Sequence, residues 1–447
     1  MTAKISSQTA SRLKSTAAII AIAAQLAWQI GPAAAFCGFY VAQADAKLFN
    51  KSSKVVLSRD GNTTAITMAS DYEGEPREFA VVIPVPTFIE RKQIGVVEMA
   101  TVDHLDAYTA PRLVEYHDTD PCQPVIVRRA VAAVAAPTPE SAPSTVVYKG
   151  VTVEATYDVA EYDVSILSAQ DSNGLVRWLT DNGYRIPAGA ESVLASYIKQ
   201  NMRFFVAKVN LGRMQLIGSK YLRPLQVRYD TPKFMLPLRL GTVNANGPQD
   251  LIIYALTRNG RVETANYRTV KLPSGMDVPL YVKDDFGRFY KAMFDRAVAA
   301  QDMRTVFTEY AWDMGWCDPC ASPPLSNREL VELGARWIGN DDASSYRSSF
   351  GGSPSADAYV TRLHVRYDAA HFPEDLALIE THDRENFQSR YVLRYPWTDA
   401  AACKEGARYR ASLPPRFTQE AKTLADLTGW EPRDIEARMA QSGQSIR

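Results

Sequence analysis

The chain has 447 residues, with 50 Lys and Arg against 50 Asp and Glu, and is 46% hydrophobic and 22% charged. Those values are ordinary for a globular chain and exclude a wholly disordered polymer, a collagen-like fibre and a polytopic membrane protein. The neutral balance argues against a nucleic-acid partner, since such binders carry a basic surplus.

Residues 1–35 contain no Asp or Glu. Lys4, Arg12 and Lys14 make a cationic start, Thr16 to Ile30 is an apolar run rich in Ala and Ile, Gly31-Pro32 breaks any helix, and Ala33-Ala34-Ala35 supplies small residues. That order predicts a secretory signal peptide over 1–35, cut between Ala35 and Phe36. The apolar run is shorter than the ~20 residues of a membrane span. Phe36 before Cys37 is not the small residue that lipid attachment prefers. Cleavage removes three cations and no anions, leaving 47 against 50 and a net charge of −3. The expectation is an exported protein, periplasmic or secreted, with no stable membrane span once the signal is cut.

Residues 36–129 read as a β-rich N-terminal domain. Val55-Val56-Leu57 leads into Asp60-Gly61, a strong turn pair, and Thr64 to Ser70 alternates, which predicts a hairpin. Phe79 to Ile83 is a continuous apolar run of a strand buried on both faces, which Pro84 and Pro86 are expected to end. Val102 to Tyr108 predicts a short helix. Residues 130–145, AVAAVAAPTPESAPST, have the composition of an Ala/Pro/Ser linker and mark the expected domain boundary.

Residues 146–284 read as a mixed α/β and β-rich domain. Strands are predicted over Val151 to Tyr157 and Tyr162 to Leu167. Two helices follow, one carrying Leu175, Trp178 and Leu179, the other Val193, Leu194, Tyr197 and Ile198 on one face. Phe204 to Val209 is a strand, and short β runs fill Leu222 to Leu272. Residues 285–447 read as helical and β. Asp285 is placed to cap a long helix through about Trp312, and Ser326-x-x-Glu329 is a capping box. Ser344 to Ala356 is a Ser/Gly-rich loop. Tyr359 to Tyr367, Leu376 to Ile379 and Tyr391 to Tyr395 are strands, and Thr418 to Leu427 and Pro432 to Met439 are closing helices. The expected fold class is α+β. The aromatics Phe289-Tyr290 and Trp312 to Trp316 are read as core.

Five cysteines are present: Cys37, Cys122, Cys317, Cys320 and Cys403. In an oxidising compartment most should pair and one is left over. Cys37 and Cys122 bracket the first domain and can bridge it, or one of them can pair with a partner in the C-terminal half. Trp316-Cys317-Asp318-Pro319-Cys320 differs by one residue from a thioredoxin-type motif. A helix is expected before it and Pro323-Pro324 lies beyond it, so the pair has no helix N-terminus, and Asp318 opposes a thiolate. Cys317 and Cys320 are therefore read as a structural pair, bonded to each other or to Cys403, with thiol–disulfide exchange as the alternative. His364, His371 and His382 lie within nineteen residues beside Glu374, Asp375, Glu380, Asp383 and Glu385, without the spacing of a known metal motif. They are the weaker candidates for a metal-dependent hydrolase. Ser196-Tyr197-Ile198-Lys199 matches S-x-x-K without its companion elements and is read as chance. No nucleotide-binding or nucleophile-elbow motif occurs, and no cofactor is implied.

Five stretches, Cys37-Gly38-Phe39-Tyr40-Val41, Ala80 to Pro86, His104 to Arg112, Trp316 to Cys320 and Thr361-Arg362-Leu363-His364, carry a likeness across the mature chain. Through them the chain resembles a bacterial family of exported proteins known as domain-of-unknown-function family 2330. It implies an envelope location and carries over no activity, cofactor or catalytic residue. The leading functional expectation is a binding or structural module of the envelope, acting on an envelope or extracellular ligand.

Overall fold

The computed structural model describes residues 39–42, 49–73, 79–123, 152–182, 184, 186, 189–216, 222–243, 245, 247–316, 318, 322–339 and 357–446. The expected signal peptide with its Ala35/Phe36 cut, Cys37, the linker at 130–145, Cys317, Cys320 and the loop from Ser344 to Ala356 lie outside the described residues.

In chain order the described elements begin with β1 (Phe39–Ala42), β2 (Phe49–Asp60), β3 (Thr63–Glu73), β4 (Phe79–Val85), β5 (Ile94–Val96), α1 (Met99–Thr109) and β6 (Arg112–His117). There follow β7 (Thr152–Val159), β8 (Tyr162–Ser168), α2 (Ser172–Asp181), α3 (Ala190–Ile198), β9 (Arg203–Val209) and α4 (Leu211–Leu216). The middle of the chain forms β10 (Leu225–Asp230), β11 (Met235–Leu236), α5 (Arg239–Val243), β12 (Gln249–Thr257), β13 (Val262–Thr264), β14 (Arg268–Lys271) and β15 (Met276–Asp277). The last part forms α6 (Phe286–Ala300), β16 (Thr305–Asp313), α7 (Asn327–Glu332), β17 (Tyr359–Tyr367), β18 (Leu376–Glu380), β19 (Phe387–Gln388), β20 (Arg390–Tyr395), α8 (Lys404–Thr428) and α9 (Pro432–Gln441).

The hairpin at Asp60-Gly61 becomes β2 and β3, with Gly61 at φ +55° in the turn. Both of its faces carry buried side chains, so it cannot stand at a solvent boundary. Among the described residues it sits inside a nine-stranded sheet of order β14-β16-β17-β12-β2-β3-β10-β5, with β19 against β16. β12 runs parallel to β2, with Ile253 opposite Val55, and antiparallel to β17, with Ile253 opposite Leu363. Alternation sorts the side chains. Val55, Leu57, Ile66 and Ile253 face a second sheet, β1-β4-β9-β8-β7, and share a core with its Ile83, Ile166 and Phe205. Val56, Tyr254, Leu256 and Val360 face the other way, against Leu105 of α1 and Leu330 of α7. The far side of the second sheet, Val82, Phe204 and Val206, is covered by Leu175, Leu179 and Leu194 of α2 and α3. The layers thus run helix, sheet, sheet, helix, and the fold class is α+β. α6, α8 and α9 make a further core with β20 through Phe289, Leu393, Leu424 and Met439.

The expected regions 36–129, 146–284 and 285–447 do not build separate sheets. β2 and β3 of the first lie between β12 and β10 of the second, and β16 and β17 of the third complete the same sheet. A hairpin buried on both faces also leaves the backbone N–H and C=O groups of its two outer edges without water, so each edge needs a paired strand, and the later chain supplies β12 and β10. Composition marks a stretch that buries little; it does not say whether the strands on either side pair.

Three local expectations are corrected. The helix opened near Asp285 ends at Ala300, not Trp312. Asp302 and Met303 adopt φ +49° and +52°, turning the chain into Thr305-Val306-Phe307-Thr308, whose β-branched and aromatic residues suit a strand. β4 runs through Pro84, which lies opposite Phe204 of β9. α8 starts at Lys404, well before Thr418, and continues through Pro414 and Pro415. A helical proline forfeits a hydrogen bond at ~3 kcal/mol, and the buried row Phe417, Ala421 and Leu424 offsets it. The capping box at Ser326 and Glu329 is present at the start of α7. Phe289 is fully buried as expected, whereas Trp316 is 46% exposed.

Cys122 is bonded to Cys403, 281 residues away in sequence. The bond ties the turn after β6 to the first turn of α8. It rules out a Cys37–Cys122 bridge and a bridge from Cys317 or Cys320 to Cys403.

Candidate functional site

β17 places Arg362, His364 and Arg366 on the helix-covered face of the main sheet. Opposite them, the register of β16 shifts between Thr308 and Tyr310, and Glu309 sits in that irregularity. Glu309 is fully buried. Its Oε2 accepts from Arg362 Nε at 2.6 Å and its Oε1 lies 2.8 Å from His364 Nδ1, while Tyr290 of α6 donates its hydroxyl to the same oxygen. Arg362 Nη1 also donates to Asp106 Oδ1 of α1 at 2.5 Å. Asp106 accepts in addition from Tyr254 at 2.7 Å and pairs with Lys54 at 2.8 Å. Burial pushes Glu309 up, but the charges of His364 and Arg362 and the hydrogen bonds hold it at about 2. Burial opposes ionisation of Asp106 too, and Arg362, Lys54 and Tyr254 hold it at about 2. These residues form an ionic ladder across β2, β12, β17 and β16, closed over by α1 and α6. Phe294 stacks on the His364 ring at 3.7 Å between centroids.

The histidine set is corrected accordingly. His364 Nδ1 is committed to Glu309, His371 Nδ1 is bonded to Asp368 at 2.8 Å in the turn after β17, and His382 is exposed. Among the described residues no group of three His, Cys, Asp or Glu side chains converges to hold a metal. The chain from β17 into β18 carries the three rings to different surroundings, so nearness in sequence does not become nearness in space. Of the Cys317/Cys320 motif only Trp316 and Asp318 are described; Asp318 accepts from Tyr310 at 3.1 Å and Gln388 at 2.8 Å, which anchors it to the edge of the sheet.

A cleft of about 430 Å³ opens between the end of α3, β11 and β18. Its volume lies in the range of small-molecule sites. Buried Phe234, Leu376 and Leu378 make an apolar wall. Lys233, Arg239, Glu374 and Asp375 supply two charges of each sign. Asp375 is held by three donors: Tyr197 Oη at 2.7 Å, Leu238 N at 2.8 Å and Arg239 N at 3.0 Å. Arg239 donates to Ser196 Oγ at 2.8 Å, and Ser196 in turn donates to Val193 O. Ser196 therefore positions Arg239. Lys199, the other end of the S-x-x-K match, is exposed at the C-cap of α3. A ligand here would meet the held carboxylate of Asp375 and the anchored guanidinium of Arg239 over an apolar wall, with the exposed Lys233 and Glu374 at its rim, an arrangement that gives orientation with little induced movement.

The cleft residues come from three short stretches, 196–200, 233–239 and 374–378. β11 has two residues and no periodicity, so the sequence carries no pattern that joins them. The one local sign is the polar turn Glu374-Asp375 set directly before the apolar strand Leu376 to Ile379.

A family model described as an uncharacterized protein conserved in bacteria, DUF2330, matches residues 31–379. The chain belongs to DUF2330. No curated protein and no solved structure matches it. The DUF2330 segment contains the cleft and the ionic ladder and ends before Cys403, α8 and α9. Among the described residues of this DUF2330 protein, no helix is long and apolar enough to cross a membrane.

Proposed function

We propose that this DUF2330 protein is an exported binding module of the bacterial envelope that holds a small ligand in the cleft beside Asp375. The observation that carries the reading is the preformed cleft, with Asp375 locked by three donors above an apolar wall. Export is supported by the order of charge, apolar run and small residues over 1–35. The Cys122–Cys403 bond fits a compartment in which disulfides persist. The chemistry of the walls suits a compact ligand with an apolar body and both donor and acceptor groups.

The test is native mass spectrometry of protein isolated from its own envelope fraction, beside the variant Ala377→Trp, which fills the cleft. A small-molecule adduct on the wild type that is absent from A377W supports the reading. The same adducts on both, or none on either after supplying envelope extract, refute it. Intact mass from the same fraction should show a chain starting at Phe36, and retained Met1 on a cytoplasmic species would remove the export half of the reading.

A further inference from the structure

A second cavity, of about 270 Å³, lies on the helix side of the main sheet near the β2–β3 turn, away from the cleft at Asp375. Its floor is a row across three strands: Ser58 of β2 opposite Ala65 of β3, and Ala65 opposite Arg228 of β10. The turn after α7 lies directly on this row. Gly334 has φ +103°, and a Cβ there would come within 2.6 Å of Ala65 Cβ and 3.1 Å of Ser58 Cβ. Only glycine permits both the backbone angle and the approach. The contact brings Arg336 and Trp337 over the floor, so that Arg228 and Arg336 line one space.

We propose that this cavity is a binding site for a divalent oxyanion, a phosphate or phosphomonoester group, gripped by Arg228 and Arg336 with Ser58 as a third donor. Neither arginine has a carboxylate partner among the described residues, and the charge that Arg336 feels there is that of Arg228. One acid, Asp60, also lines the cavity, but its charge is met by Arg258, at 3.1 Å from Nε and 3.3 Å from Nη2, and it pairs with neither Arg228 nor Arg336. Arg258 lies over the Trp337 ring, whose Nε1 donates to Asp357 O at 2.9 Å, so this wall is fixed. Ser58 is 1% exposed, and its Oγ has no hydrogen-bond partner among the described residues. Buried hydroxyls are normally satisfied, and one left open in a cavity shared with two guanidiniums that have no carboxylate partner among the described residues marks an acceptor that belongs there. A divalent anion neutralises both forks, whereas a single carboxylate leaves one positive charge over. Guanidinium forks bind such oxygens bidentately and with direction.

The test is calorimetric titration of the whole protein with inorganic phosphate near neutral pH, against sodium chloride at matched ionic strength, with phenyl phosphate and acetate as further arms. One saturable phosphate site is expected, with acetate weaker. Arg336→Gln should weaken phosphate by about tenfold or more, the loss of one charge-assisted pair, and Arg228→Gln/Arg336→Gln should remove measurable binding. Arg336 is exposed, so the single variant serves if the double one does not fold. Phenyl phosphate binding tighter than phosphate would assign an ester ligand, and the reverse order the free ion. Phosphate heats no larger than those of chloride, or unchanged affinity in Arg336→Gln, would overturn the proposal. The cleft variant Ala377→Trp should titrate like wild type, which separates this site from the one above.

Discussion

Replacing Arg362 by Met tests whether the ionic ladder is the keystone of the helix-covered face. Arg362 donates at 2.6 Å to Glu309 and at 2.5 Å to Asp106, and both carboxylates are held ionised at about 2. Met fills similar volume without charge, so packing is largely kept while two buried anions lose their shared cation. Breaking a buried pair from one side costs ~3–5 kcal/mol. The lower end applies here, because Glu309 keeps His364 and Tyr290 and Asp106 keeps Lys54 and Tyr254. Denaturant unfolding at neutral pH should show R362M less stable by about 3 kcal/mol. Glu309→Gln alone should also destabilise, but the double variant should lose less than the sum, with a coupling of ~1–3 kcal/mol. The pH dependence follows in sign. A carboxyl depressed in the fold contributes stability that is present above its ordinary pKa of 4.5 and is lost as pH falls toward about 2. R362M has less of that contribution to lose, so its gap from wild type should narrow over that interval. A cost below about 1 kcal/mol for R362M, or strict additivity in the double variant, would refute the reasoning.

Glu420 in α8 behaves oppositely: burial raises it to about 7, against Gln444 and Arg416. Stability tied to its proton is complete below 4.5 and lost as pH rises to about 7. Glu420→Gln should flatten that slope and exceed wild type above it by ~1–2 kcal/mol after solvent screening is allowed for; a variant less stable than wild type throughout that alkaline range would contradict the assignment. Cys122→Ser should lose ~2–4 kcal/mol and melt earlier, and a melt identical to that of oxidised wild type would show that the Cys122–Cys403 bond contributes nothing. A protease site inserted between residues 136 and 137 and then cut should leave fragments that co-elute natively, because β2 and β3 pair with β12 and β10. Denatured without reductant they should stay joined through Cys122–Cys403. An N-terminal fragment eluting alone would contradict the shared sheet.

What the sequence determined by itself is local. Asp60-Gly61 between alternating strands is a turn wherever it sits, because Gly61 takes the positive φ the turn requires. Ser326 and Glu329 cap a helix with their own side chains. The apolar runs Val55 to Leu57 and Phe79 to Ile83 had to be buried on both faces, and Val55 to Leu57 and Ala80 to Ile83 are. Tertiary structure decided the rest. Residues 305–312 continue an amphipathic pattern and read as helix, yet they form a strand because β14 and β17 offer paired edges there. That choice, invisible to periodicity, puts Glu309 in the interior and gives His364 its partner. The cleft and the arginine cavity are likewise assembled from residues far apart in the chain, Tyr197 with Asp375 and Arg228 with Arg336. Charge and hydrogen-bond complementarity act through space, and only the packed sheets bring those groups within reach of one another.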